Sequence, residues 1–459
     1  MSVPMSRVLY EDREDHLFRR RVRPTQVKVG RCTAIQLVCL TALGLASCSI
    51  GAASGIPTAR DVTVRTARPT PRDTIPLERL KRLASKGASA AYSPDRVISP
   101  TMPIAIRRKH PEGSSYHEGR SYTFLIHSMK FAGVARLDNG RLVLVGTGWL
   151  KNPVKDERAV FVTHSDDEAE SWSQPRIIHW GQEPPEPVHL GNNRLVLIPR
   201  DDLGFTSFSE DGGQTWDEKI PFPLLSDGSN RQTYRHGTLL VEGQSITGVF
   251  YVQGQLRDGW SAHSLLRRSR DGGRTWGEER WLPPEWLTSE GAVTRARDGA
   301  LVVALRTAQA SGLPSYSDHW RRITMARSLD EGRTWTDHQV HFQYGKVHSR
   351  LLTLSSGDIL LTYAVRMGEL DGEIYHGIEA VLSRDHGKTW DWDRRFILFR
   401  WAMHQSMHSP QSIELADGRI MTLFGYHYDA KWNDGTLNAA GYPMGITSVV
   451  IWTPYPEGK

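Results

Sequence analysis

The chain has 459 residues, 24% charged and 39% hydrophobic, with 41 Gly, 15 Trp and a mean hydropathy of -0.44. That composition excludes a collagenous, a wholly disordered or a multi-span membrane protein. The net charge of +6 hides an asymmetry: residues 1–110 hold 20 Lys and Arg against 8 Asp and Glu, whereas residues 111–459 hold 37 against 43. The second part also carries every Trp, from Trp149 onward, so a basic leader precedes a mildly acidic body and nothing in the charge supports nucleic-acid binding.

In the leader, Arg19, Arg20, Arg21, Arg23, Lys28 and Arg31 precede an apolar stretch at 34–47 (AIQLVCLTALGLAS). A basic segment followed by an apolar run of this length is an export signal, too short for a spanning helix, which needs roughly 20 apolar residues. The stretch ends in Leu45-Ala46-Ser47-Cys48, which resembles the lipobox of bacterial lipoproteins. The resemblance implies that Cys48 is lipidated and anchors the chain to a bacterial membrane in the cell envelope or periplasm; cleavage and secretion is the alternative. Residues 1–48 are thus the signal, and residues 49–110, rich in Ala, Ser, Pro, Thr and Arg, read as a flexible basic stalk. Residues 111–459 are the body. With cysteine confined to Cys32, Cys39 and Cys48, the body has no disulfide, thiolate metal site or cysteine nucleophile.

Two interleaved repeats organise the body. The first runs Ser-x-Asp-x-Gly-x-Thr-Trp at 209–216, 269–276, 328–335 and 383–390, with a worn copy at 165–172 ending in Trp172. Its Asp can accept N–H groups across a tight hairpin, its Gly permits positive φ, and its Trp packs the hairpin onto the sheet. The second is a strand, a turn and a strand, six times over, centred on Gly140, Asn193, Gly243, Gly299, Gly357 and Gly418, 50 to 61 residues apart. Short strands at that period without a long helix predict an all-β, six-bladed β-propeller of four-stranded antiparallel blades. The last unit, ending in the segment around Trp452, is a strand short, and residues 122–127 are expected to supply its outer strand and close the ring.

The Ser-x-Asp-x-Gly-x-Thr-Trp repeats on a six-unit frame resemble the Asp boxes of the sialidase (neuraminidase) superfamily over about residues 120–452. The boxes imply fold rather than function, because they lie at the blade periphery. The resemblance implies an axial pocket with three Arg on a substrate carboxylate, a Tyr nucleophile paired with a Glu, and an Asp acid/base; bidentate Arg matches a carboxylate and Tyr needs a neighbouring base. Glu290 and Arg306, nine before and seven after Gly299, match the Glu base and the central Arg, and a hairpin brings them together. Asp156 falls where the acid/base Asp is expected. The first Arg is replaced by Lys130, which keeps the charge but loses the fork. Where the third Arg is expected the chain has Tyr375-His376, with Arg350 a nearby substitute, and His408 stands in place of the Tyr.

Histidine takes up the vacant positions. His236, His348 and His408 precede their turns by seven, nine and ten residues, which aims them at the axis as acids or bases that titrate near neutrality. Arg200 repeats the position of Arg306 in the second unit and Arg235 adjoins His236, so with Lys130 and Arg350 the pocket is expected to be positive inside an acidic body. Trp149, Trp260, Trp320 and Trp432 are candidates for stacking on sugar rings. The leading expectation is an exported, sialidase-like exo-acting glycoside hydrolase that cleaves a terminal acidic sugar without metal or cofactor, and whose partner is an acidic glycan. The alternatives are a uronate lyase or glycosidase working through His348 or His408, and a non-catalytic glycan- or protein-binding propeller.

Overall fold

The computed structural model describes residues 104–106, 114–115, 119–124 and 133–455, apart from 152–155, 170, 174–175, 181–184, 201–203, 229–231, 257–258, 308–320, 337, 341–344, 371–372, 402–406 and 428–444. Strands alternate with tight turns at the period of the repeats, and positive φ at Gly140, Asn193, Gly243, Gly299, Gly357 and Gly418 reverses the chain between the first two strands of every unit. Pairing along the chain gives six sheets, antiparallel within every blade unit. Blade one comprises Gly133–Arg136, Leu142–Lys151, Asp156–Ser165 and Arg176–Trp180; blade two Glu186–His189, Leu195–Ile198, Phe205–Ser209 and Asp217–Pro221. In blade three the inner edge is split into Thr233–Tyr234 and Leu240–Glu242, followed by Ser245–Leu256, Gly259–Ser269 and Gly277–Trp281. Blade four holds Thr288–Arg295, Leu301–Thr307, Ile323–Ser328 and Gln339–Val340, and blade five Lys346–Thr353, Ile359–Leu370, Glu373–Ser383 and Arg395–Trp401. Among the described residues there is no α-helix, only 3₁₀ turns at Pro284–Trp286 and Trp392–Arg394.

Blade six joins the two ends of the body. Met407–Glu414, Ile420–His427 and Gly445–Trp452 come from the C-terminal end, and Gly119–Phe124 pairs antiparallel with the last of them. The expected closing strand exists, three residues earlier than the sequence suggests. Ile104–Ile106 adds a further strand beside it, within the stretch that composition assigns to the stalk, and Ser114–Ser115 pairs in parallel with the outer strand of blade five. Among the described residues, the pairing of Gly445–Trp452 with Gly119–Phe124 closes blade six between the two ends of the body.

The five boxes are built alike. In each, the Ser hydroxyl donates to the Asp at 2.8–2.9 Å and accepts the N–H four residues on at 2.8–2.9 Å. The Asp in turn accepts the hydroxyl of Thr215, Thr275, Thr334, Thr389 or, in the worn copy, Ser171, at 2.5–2.6 Å. These bonds hold the Asp boxes' carboxyls below the usual carboxylate range even against partial burial. Gly332 shows why the box needs glycine: its φ is +84° and a Cβ would lie 2.5 Å from Leu266 Cδ1 of the preceding blade.

The core is six apolar clusters, each wedged between neighbouring blades. Trp172, Trp216, Trp276, Trp335 and Trp390 each pack into the cluster shared with the blade before their own. The box Trp therefore joins blade to blade rather than capping its own sheet. Blade six lacks a box, and Trp452 fills the equivalent wedge against Phe396, ring centres 4.8 Å apart.

Candidate active site

Three inner strands carry the same irregularity. Between Thr288 and Gly291, between Val347 and Arg350, and between His408 and Gln411 the inner strand spends three residues where its partner spends two. Such a bulge bends a strand and re-aims a side chain. Glu290 lies within the first bulge and His348 within the second, with a positive φ of 54°; His408 opens the third. In blade three the gap between the two inner segments holds Arg235, His236 and Gly237. A Cβ on Gly237 would fall 1.6 Å from the carbonyl oxygen of Gly291, so only glycine allows this approach. It sets His236, the residue before Gly237, against Glu290, the residue before Gly291.

The result is a buried cage around one carboxylate. Glu290 is 5% exposed; its Oε1 accepts from Arg306 Nη1 at 2.7 Å and lies 3.2 Å from His236 Nδ1, while Oε2 lies 2.9 Å from His348 Nδ1. The two imidazoles are nearly parallel, ring centres 6.3 Å apart. Behind them stand two further guanidinium groups: Arg200 Nε donates to His236 Nε2 at 2.6 Å, with a longer contact to Nδ1, and Arg366 Nη2 lies 3.0 Å from His348 Nε2. Arginine only donates, so the shorter contacts make Nε2 the acceptor on each ring and leave the ring proton on Nδ1, the nitrogen that lies 3.2 and 2.9 Å from Glu290.

The electrostatics follow from this arrangement. Burial favours the neutral acid at Glu290, but Arg306, His236 and His348 outweigh it and hold the carboxyl well below the usual range. Burial, with the Arg200 charge, pushes His236 well below an ordinary imidazole, so at neutral pH the Glu290 anion faces a neutral His236 ring. Tyr251, 3% exposed, lies beside His236 with ring centres 6.0 Å apart; burial first, and the Glu290 charge second, push its phenol up.

His236, Glu290 and His348 have ligand atoms within 4.8 Å of one another, close enough to consider a metal ion. The donor set does not fit one. Imidazoles that bind metals pass their outer N–H to an acceptor, whereas here the outer partners are guanidinium donors, which put the protons on the nitrogens an ion would need. Arg306 already occupies the carboxylate.

The structure thus brings together Glu290, Arg306, His236, His348 and Arg200 of the residues singled out from the sequence. Arg235 and Arg350 turn instead to a different buried carboxylate, Glu186, at 2.5 and 3.1 Å. Asp156 begins the third strand of blade one, its backbone opposite Lys151, at the end of its blade that corresponds to Arg306 in blade four. The backbones of Tyr375, His376 and His408 lie opposite Gly368, Trp401 and Gly425. Trp149 and Trp260 sit in long hairpins opposite Arg158 and Gln255. Lys130, Cys48, Trp320 and Trp432 fall outside the described residues. Sequence reasoning passed over Glu186, Arg366 and Tyr251. Two had a signal: Glu186 precedes Asn193 by seven, as His236 precedes Gly243, and Arg366 follows Gly357 by nine, close to the seven between Gly299 and Arg306.

Residues 242–430 match the BNR repeat-like domain family. The fold is similar to that of a Dyadobacter fermentans protein of unknown function (TM-score 0.52, 20% identity, 77% of this chain and 99% of that one). It is also similar to the NanB sialidase of Streptococcus pneumoniae (TM-score 0.50, 12% identity, 72% and 69%). A weaker likeness is to an α-L-arabinofuranosidase of Fusarium graminearum (TM-score 0.45, 14% identity, 70% and 93%). No curated protein sequence matches significantly.

Proposed function

We propose that this six-bladed BNR-repeat propeller is an exported, lipid-anchored enzyme that hydrolyses a glycosidic bond to a terminal acidic sugar. The observation that carries the reading is the pairing of an ionised, buried Glu290, on a bulged inner strand, with Arg306 of the adjoining strand at 2.7 Å, with Arg200 and Arg366 close behind. A buried cluster whose cations outnumber its anions suits a carboxylate-bearing ligand. In this reading the guanidinium groups orient the sugar carboxylate, Glu290 takes the proton of the attacking group, and Asp156 protonates the departing oxygen. Sialic acid or a related nonulosonate is the substrate class to which the similarity with a sialidase fold points.

The neutral His236 ring beside a guanidinium favours one second reading, a lyase acting on a uronate. There an Arg would neutralise the sugar carboxylate and an imidazole would remove the α-proton.

The full chain, assayed on a fluorogenic sialoside, a related nonulosonide and uronate polysaccharides, separates these outcomes. Release of the acidic sugar, lost by at least about 10²-fold in Glu290→Gln, upholds the hydrolase; an electrostatic or proton-transfer group contributes on that order. Ultraviolet absorbance from an unsaturated uronate would replace it with the lyase. Tight binding of an acidic glycan without turnover would replace both with a binding propeller.

A further inference from the structure

The proposed chemistry gives no role to the buried carboxylate nearest the Glu290 cage in the ring of inner strands, that of Glu186. Glu186, on the inner strand of blade two, is 7% exposed. Arg235 Nη1 donates to its Oε2 at 2.5 Å and Arg350 Nη1 donates to the same oxygen at 3.1 Å. Gln411 Nε2 lies 3.5 Å from Oε1, and Gln411 Oε1 accepts the N–H of Val134 at 2.9 Å. One carboxylate thereby gathers the inner edges of blades two, three, five and six, and through Gln411 that of blade one.

The positions of the two Arg matter. Arg235 immediately precedes His236, and Arg350 follows His348 by two residues, at the close of the bulge that carries it. Holding both guanidinium groups on one oxygen fixes the distance between the backbone segments that present the two imidazoles to Glu290. Arg235 is further tied to Gly237 O at 3.0 Å and Ile198 O at 3.1 Å, so its segment is the more firmly held. Without the Glu186 charge, two like charges would face each other in a buried setting, where repulsion is poorly screened. Among the described residues the Arg350 guanidinium donates to Glu186 alone, while Ser349 Oγ donates to Ala304 O at 2.9 Å and Leu351 N–H to Thr238 Oγ1 at 3.2 Å, so the adjustment falls on the bulge at His348, whose own backbone occupies the left-handed region.

We propose that Glu186 is a positioning residue for the Glu290 site: through Arg235 and Arg350 it sets the spacing of His236 and His348, and it touches no substrate. The role in catalysis rests on the glycan-processing reading above; the geometric role does not.

The test is ring N–H NMR of the full chain labelled with ¹⁵N-histidine, with the His236 and His348 signals assigned by loss in His236→Gln and His348→Gln. In Glu186→Gln the His348 signal is expected to move more than that of His236, and Glu186→Asp is expected to bring both partway back. Turnover, where the panel has found a substrate, is expected to fall about 10- to 100-fold in kcat with KM within about twofold, the signature of a misplaced catalytic group. A folded Glu186→Gln with both signals at their wild-type positions would overturn the proposal whatever its activity. Shifted signals with no substrate found would uphold it while the glycan reading failed. Where Glu186→Gln does not fold, Glu186→Gln with Arg350→Gln removes the like-charge pair and the tie to blade five together. That double variant is then expected to move His348 and leave His236 in place, and an unmoved His348 would overturn the proposal.

Discussion

Replacing Glu290 by Gln changes one oxygen to an amide nitrogen with almost no change in volume, so its cost isolates the charge at the centre of the cage. Arg306 Nη1 donates to Oε1 at 2.7 Å, and His236 and His348 each direct an Nδ1 at the carboxylate from 3.2 and 2.9 Å. The amide carbonyl can serve one side only; its NH₂ then faces a proton on the other. A hydrogen bond to a charged group is worth about 1.5–3 kcal/mol and a buried donor left without an acceptor costs about 1–3 kcal/mol. Together these give roughly 2.5–6 kcal/mol, which brackets the cost of about 3–5 kcal/mol for removing one partner from a buried ion pair. Equilibrium urea unfolding at pH 7, followed by Trp fluorescence, reads this as a lower midpoint at unchanged slope. A double-mutant cycle with Arg306→Met is expected to show coupling of at least about 1 kcal/mol. A loss below about 1 kcal/mol, additive with Arg306→Met, would refute the cage as the state of Glu290.

Three further outcomes are expected. Both His236 and Glu290 have depressed pKa values in the folded chain, so their contribution is complete above the unfolded values and is lost as pH falls, first below about 6.5 and then below about 4.5; urea midpoints across the acid range should decline less steeply in Glu290→Gln than in wild type. Gly332→Ala places a Cβ 2.5 Å from Leu266 Cδ1 at φ +84°, and a loss of stability of about 1–3 kcal/mol, read as a lower urea midpoint, is expected; a neutral substitution would show that the box does not seat on the preceding blade. Deletion of residues 1–124 strips the partner from Gly445–Trp452 and leaves an apolar edge strand open. On size exclusion that variant should run as aggregate, whereas deletion of residues 1–103 should run as the intact protein does.

The fold was legible because its signals are local. A Ser-x-Asp-x-Gly-x-Thr-Trp hairpin satisfies its hydrogen bonds within eight residues, so each box announces itself, down to the worn copy whose Ser171 does the work of Thr. Period and strand count gave the six blades and even the missing outer strand, since an unpaired edge has to be closed. Glu290 and Arg306 were also within reach, because a two-strand hairpin makes their separation a matter of register.

Pairing across the ring was a different matter. Arg350 and Glu186 are 164 residues apart, and nothing in the sequence around Arg350 distinguishes a cation that faces a ligand from one consumed by a buried carboxylate in another blade. Sequence position aimed Arg235, Arg350, His236 and His348 at one axis alike. The residue types and their offsets from each turn were determined by the chain itself. Which charges neutralise one another was decided only by the curvature of the ring, by the bulges that re-aim Glu290 and His348, and by the close approach of Gly237 to Gly291, because Coulomb and hydrogen-bond energies depend on distances through space that only the closed propeller defines.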